Sequence, residues 1–281
     1  LPMGYNALGI TYNKTLLDKN GWKLPTSFRE LEELAPKVEE AGYTLCLDQL
    51  QYPGFGFQFL CNIADTGFLS TIDGLTWQEN FLNGDANVSD TPEMVEAVQS
   101  IEKWRNLGML NANGTPDSDS DTKAEVLKGN TLFLMGNSND LTAENDATDE
   151  YRLMPYLSED GDQNVFILNV SRYVGLNKEL GEKGNEQKLE DAMHVMEVLS
   201  TVEGMESMDP SQNNSRIIPL KDAKIEKDSY YADVLDELNS GHTASFIYSG
   251  WENIVVPVGE TMIEYIKGNA SVDDIIKAFD D

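Results

Sequence analysis

Apolar and polar positions change period several times along the chain, and each change predicts an element. From Leu8 to Tyr12 the stretch ALGITYN alternates like a strand, and Asn13-Lys14 ends it. Pro25-Thr26-Ser27 opens a helix. Ser27 and Glu30 fit the S-x-x-E capping box, and Phe28, Leu31, Leu34 and Val38 share one face. Pro36 is expected to kink that helix and Gly42 to stop it. A short buried strand over Tyr43–Leu47 follows, and then QLQYPGFGFQF, which reads as an aromatic loop.

Thr91-Pro92 starts a second long helix, with Met94, Val98, Ile101 and Trp104 at helical spacing up to Gly108. A helix over Lys123–Lys128 leads through Gly129 into the strand TLFLM and the polar turn GNSND. Val165–Asn169 and Arg172–Leu176 read as two strands, Leu189–Leu199 and Thr201–Met208 as helices, and RIIPL as an extended crossing. Three helical patterns close the chain, over Ser229–Leu238, Ile254–Ile266 and Val272–Phe279, with Ser271 and Asp274 boxing the start of the last. The alternation of strands and helices predicts a mixed α/β fold without solenoid repeats.

Composition narrows the function. The 281 residues allow one large or two modest domains, and 40% hydrophobic content supports a sizeable core. The 49 acidic against 20 basic residues give a net charge of −29, which repels phosphate backbones and anionic membranes and argues against nucleic-acid binding. No run approaches the roughly 18 apolar residues that cross a bilayer as a helix. Cys46 and Cys61, each among apolar neighbours, read as buried reduced thiols, which leaves the compartment open.

Catalytic and metal signatures are weak. His194 and His242 sit in unrelated contexts, and H-E-x-x-H, C-x-x-C and G-x-S-x-G do not occur. Asp117, Asp119 and Asp121 resemble the start of a calcium loop, but Thr122 and Lys128 stand where it needs Gly and Glu; crowding of carboxylates at a helix N-terminus explains the run. The glycines of YPGFGF lie among aromatics too large for a phosphate cradle. Neither a cofactor nor a metal is expected. The distinctive pattern is aromatics set among amides and carboxylates: Tyr5 and Asn6; Asp48, Gln49, Tyr52, Phe55 and Phe57; Asn137 to Asp140; Phe246, Tyr248, Ser249 and Trp251. Flat rings pack on the C–H face of a sugar or under a cation while amides bond its polar edge. For Phe55, Phe57, Phe246, Tyr52 and Trp251, core packing and ligand contact are both open.

Six segments in order resemble the maltose-binding-like extracellular solute-binding proteins (family 1) of carbohydrate ABC transporters. They are ITYNKTLLDKNGWKLPTSFRELEELAPKVEEAGY, LGMLNANGTPDSDSDTKAEVLKGNTLFLMGNSN, RLMPYLSEDGDQ, DAMHVMEVLSTVEGMESM, RIIPLKDA and IKGNASVDDIIKAF. The resemblance covers nearly the whole chain and implies a periplasmic-binding-protein-like type II fold of two α/β lobes joined by hinge crossings. Residues 1–164 and 221–281 would form the second lobe and 165–220 the remaining part of the first. Family members carry, ahead of the YN strand, a leader with a lipoprotein cysteine and a first lobe. The resemblance therefore implies that the chain begins mid-protein, lacking roughly 100 residues, and that 165–220 exposes an apolar face.

The same resemblance implies a sugar or oligosaccharide bound in an interlobe cleft, delivery to a membrane permease, no catalysis, an extracellular membrane-anchored or periplasmic location, and a monomer when full-length. It carries ligand contact onto Tyr5 and Asn6, onto Asp48, Gln49, Tyr52 and Phe55, onto Asn137, Ser138, Asn139 and Asp140 in the turn after TLFLMG, and onto Trp251. That turn lacks the usual aromatic, which favours hydrogen bonding there. Three alternatives stay open: a cationic ligand such as a polyamine, motivated by the charge and by Asp48, Asp140 and Glu252; a glycan-degrading enzyme; and a surface-interaction protein.

Overall fold

The computed structural model describes residues 1–50, 52–111, 119–136, 148–208, 217–223, 230–234, 237, 240–246 and 250–281. In chain order these form β1 (Pro2–Leu8), β2 (Ile10–Asn13), α1 (Lys14–Asn20), α2 (Phe28–Glu40), β3 (Thr44–Asp48), α3 (Pro53–Asp65), α4 (Ile72–Leu82), α5 (Pro92–Asn106), α6 (Asp119–Val126), β4 (Thr131–Met135), β5 (Tyr151–Met154) and β6 (Phe166–Tyr173). After a 3-10 turn at Lys178–Gly181 come α7 (Glu186–Leu199), α8 (Val202–Ser207), β7 (Thr243–Ser245), α9 (Glu252–Lys267) and α10 (Val272–Asp280).

Two sheets organise the molecule. One runs β3-β4-β2-β5, with β3 and β4 parallel and β2 antiparallel to both β4 and β5. The other runs β1-β6-β7, with β1 antiparallel and β7 parallel to β6. The strand expected over Leu8–Tyr12 is thus two strands in different sheets, with Gly9 at the break. A side chain at Gly9 would put its Cβ 2.2 Å from the Met154 carbonyl oxygen, so only glycine lets the backbone pass β5 this closely. A second connection closes nearby, where Tyr5 and Ile217 exchange backbone bonds of 2.8 Å each way. RIIPL therefore meets the chain's start, at least through Ile217.

The two strands expected over 165–176 are one, β6, paired with β1 from Leu8↔Ile167 to Pro2↔Tyr173. From Pro53 onward the segment read as an aromatic loop is the first half of α3. Pro53 occupies the first helical turn, where its missing N–H costs nothing, and the helix is buried from Gly56 to Asp65 apart from Gln58. Helix α9 lies along it, and Gly259 makes the approach possible: a Cβ there would fall 1.9 Å from the Pro53 oxygen. The glycines of YPGFGF serve this contact in part, since Gly56 faces Gly259.

Caps follow the sequence with one shift. Ser271 and Asp274 form a complete capping box. Ser27 Oγ accepts the Glu30 N–H, but the Glu30 carboxylate turns to Thr26, accepting its N–H and its hydroxyl at 2.8 Å each. Those bonds hold Glu30 below the usual carboxylate range. The main core joins α2, α3, α5, α9 and α10 to the four-stranded sheet, and Phe57, Leu31, Ile101 and Ile275 in it are wholly buried. Cys46 and Cys61 are free and buried there, and burial pushes both thiols well up. Within 165–220, by contrast, α7 buries none of its residues, and Tyr173, Leu176, Met193, Val195, Val198 and Met208 are exposed.

Candidate functional site

The parallel strands β3 and β4 end side by side, Asp48 opposite Met135. In open α/β sheets ligands bind just beyond the carboxyl ends of such strands, and a small, partly open pocket lies there. Asp48, Gln49 and Leu50 line it from the end of β3, and Met135 and Gly136 from the end of β4. Phe55, Gln58, Phe59 and Asn62 line it from α3, Leu110 from beyond α5, and Tyr156 from beyond β5. The α3 residues share a face because positions three, four and seven apart stack along a helix.

The walls from β3, β4 and the segments after α5 and β5 are each fixed by an identifiable bond. The buried Asp48 carboxylate accepts the Leu50 N–H at 3.2 Å and the Asn111 N–H at 2.7 Å, which pins the end of β3 to the segment after α5. Gln49 donates its N–H to the Met135 carbonyl, extending the β3–β4 register by one step. Gly136 has φ 144° and lies beneath the Gln49 amide; a Cβ there would sit 2.2 Å from Gln49 Oε1. Tyr156 is held by a two-way backbone bridge to Val165. Burial pushes its phenol up to about 12, with the neighbouring Asn62 amide pulling the other way. Asn62 itself is 2% exposed and packs beside that phenol.

Electrostatically the pocket is mild. Among the described lining residues the one charged group is Asp48, already bonded to two backbone donors, and the remaining polar groups are three amides and a phenol. Phe55 and Phe59 supply ring surface, and exposed Tyr52 extends it through an edge contact to Phe55 at 5.8 Å. A wider groove opens past the far end of α3, lined by Glu93, Glu96, Asp160, Asp162 and the Lys103–Glu159 ion pair. None of the described sequence candidates lines it. No group of three or more His, Cys, Asp or Glu among the described residues is placed to hold a metal.

The structure therefore brings together Asp48, Gln49 and Phe55, with Tyr52 beside them. Tyr5 and Asn6 lie on β1 in the other sheet, paired with Val170 and Asn169, and do not line the pocket. Asn137, Ser138, Asn139 and Asp140 directly follow Gly136 but lie outside the described residues, as do Tyr248 and Ser249. Trp251 is a correction. It is 2% exposed at the start of α9, stacked on Phe81 at 4.9 Å and flanked by Phe57, Trp77 and Phe279. Its ring is spent on the core, and Phe57, wholly buried, is core too.

Gln58, Asn62 and Tyr156 were not anticipated. The signal for the first two was available: Pro53 at a helix's first turn followed by an apolar run reaching Asp65 marks a helix rather than a loop. Nothing local marks Tyr156, which reaches the pocket only through the tertiary path of β5.

Comparison with known proteins agrees with this architecture. The family described as bacterial extracellular solute-binding protein matches residues 1–234, and the chain belongs to that family. Solved structures of like fold include a sugar transporter of Bacillus licheniformis in complex with stachyose, at 16% identity and TM-score 0.71, covering 99% of this chain and 71% of that one. They include a chitin oligosaccharide binding protein, at 16% identity and TM-score 0.73, covering 100% of this chain and 69% of that one. The solute-binding protein RafE in complex with raffinose matches at 15% identity and TM-score 0.72, covering 99% and 72%. The fold is thus the mixed α/β type II fold of solute-binding proteins, and this chain spans about 70% of the length of these relatives.

Proposed function

We propose that the protein is the ligand-binding component of an ABC importer, taking up a neutral oligosaccharide or related polyol and passing it to a membrane permease without catalysis. The observation that carries this reading is the pocket wall at the carboxyl ends of β3 and β4: amides, a phenol and aromatic rings, with Asp48, the one carboxylate among the described lining residues, bonded to backbone N–H groups. Such a wall suits hydroxyl groups on one edge of a ligand and its C–H face on another. Solved relatives of the same fold in complex with stachyose and raffinose support the reading. Residues 1–164 and 221–281 belong to one lobe and 165–220 to part of the other. Asp48, Gln49, Tyr52 and Phe55 contact the ligand directly, and Asn137 to Asp140, Tyr5 and Asn6 add further contacts. An extracellular location, with a lipid anchor or in a periplasm, follows from the same role.

Titration calorimetry of the full-length protein against raffinose, stachyose, maltose and chitin oligosaccharides tests the reading. Saturable heat with one of them is expected, with an affinity nearly indifferent to salt between about 0.05 and 0.5 M, since a neutral ligand has no charge to screen. Binding of spermidine alone, weakened steeply by salt, would replace it with the cationic reading that the net charge of −29 motivates.

A further inference from the structure

From Gly56 to Asp65 helix α3 is buried at every position but one, and that one, Gln58, lines the pocket. Phe59 and Asn62, deeper along the same face, are 6% and 2% exposed. The Phe59 ring is packed against Trp104 and Tyr156, and Asn62 lies beside the Tyr156 phenol. Phe55 and Gln58 are only half-buried. The accessible part of this wall is therefore a ring and an amide three positions apart, stacked on one face of the helix. The polar lining groups beside them are engaged in the fold: Asp48 accepts two backbone N–H groups, and Gln49 packs its amide over Gly136. Gln58 makes no side-chain hydrogen bond among the described residues, so its carbonyl and its NH2 group both keep their full capacity for a ligand.

We infer that Gln58 is a specificity-determining contact: its amide accepts a hydrogen bond from one ligand hydroxyl and donates to the oxygen beside it, while the Phe55 ring takes the adjoining C–H face. The inference rests on the reading of the pocket as a binding site for a neutral oligosaccharide. It deepens that reading by fixing what the bound unit presents, two neighbouring oxygens with at least one free hydroxyl. An amide suits such a pair because it holds a donor and an acceptor side by side in one plane, which neither a carboxylate nor an ammonium group does. Because a half-buried amide is open to water, leaving it unbonded to protein costs the fold little, and the ligand's oxygens take the place of that water on binding. A ligand without the oxygen pair shuts the amide off from water and leaves it unpaired, which is how a site built for a hydroxyl rejects an analogue lacking it.

Gln58→Met and Gln58→Leu remove the amide while keeping a long side chain and a good helix former, so they separate a ligand contact from a structural one. The test is calorimetry of the full-length protein against raffinose, stachyose, maltose, chitin oligosaccharides and spermidine, together with thermal melting without ligand, on the parent and both variants. The expected result is that each variant loses at least about threefold, and up to about tenfold, in affinity for the sugar the parent binds, while its melting midpoint without ligand stays at the parent's. A loss of less than about threefold in either folded variant overturns the role of Gln58 and leaves the sugar reading standing. So does a loss that comes with a lower melting midpoint in both variants, since the amide would then serve the fold. A parent that binds none of the sugars, whether or not it takes up spermidine, overturns the reading itself, and this role with it.

Discussion

The Asp48 carboxylate holds the Asn111 backbone N–H at 2.7 Å, joining the end of β3 to a segment sixty-three residues later. Its other oxygen takes the Leu50 N–H, so one buried side chain sets the position of two walls of the pocket. Asp48→Ala leaves both N–H groups without that acceptor. It is expected to destabilise the protein by about 1–3 kcal/mol, seen as a lower midpoint in urea unfolding. Asp48→Asn keeps an acceptor oxygen and should fall between the parent and alanine.

Trp251 makes the opposite kind of prediction from the one its sequence context suggests. Stacked on Phe81 and touching Phe57, Trp77 and Phe279, it fills the core where α9 meets α3 and α4. Trp251→Ala should cost about 3–5 kcal/mol of stability, as large-to-small aromatic changes in cores do. Trp251→Phe should lose much less. Sugar affinity of the folded Trp251→Phe protein should stay close to the parent's, which calorimetry checks.

Much of the fold was legible because periodicity and caps act locally. Met94, Val98, Ile101 and Trp104 are all buried on α5, and the Ser271–Asp274 box stands where the sequence puts it. The failures share a cause. Gly9 looked like an ordinary strand residue, because what requires glycine there is the Met154 carbonyl, which the sequence does not place nearby. QLQYPGFGFQF looked like a loop because glycine and proline dominate local propensity, while burial against α9 makes it the start of a helix. Four of the eleven described lining residues sit on the helix so misread. Asp48, Gln49 and Phe55 could be picked out as polar or aromatic residues after a strand, but Gln58 and Asn62 share their wall only once α3 is a helix. Trp251 erred the other way, since its polar neighbours say nothing about the four rings that surround it.

Gly259 links the core to the site. An added Cβ would sit 1.9 Å from the Pro53 oxygen, so Gly259→Ala must push α9 away from the N-terminal turn of α3. A stability loss of at least about 1–3 kcal/mol is expected. Phe55 and Gln58 sit within two turns of Pro53 and line the pocket, so the affinity of the folded variant for the bound sugar should fall as well. Thermal melting and calorimetry on one preparation read both effects. A loss of stability with unchanged affinity would mean that the displacement is absorbed by α9 alone.

Asp65 ends α3 with a carboxyl that is 2% exposed and whose Oδ2 has no hydrogen-bond partner among the described residues. Burial raises its pKa well above the ordinary 3.8, since nothing compensates the cost of the charged form. In the unfolded chain the group ionises near its ordinary value, while in the folded protein it keeps its proton to higher pH. The folded state therefore binds the extra proton, and the stability associated with Asp65 is fully present below about pH 4 and declines as pH rises towards the raised folded value. Within that window the loss approaches about 1.4 kcal/mol per pH unit. Asp65→Asn cannot ionise, so it removes this loss. Urea unfolding from pH 4 upward should show the variant gaining on the parent until the raised folded value is passed, and level thereafter. A constant difference between the two across that range would mean that Asp65 titrates alike in the folded and unfolded chains, and that its burial is relieved by solvent entering beside the end of α3.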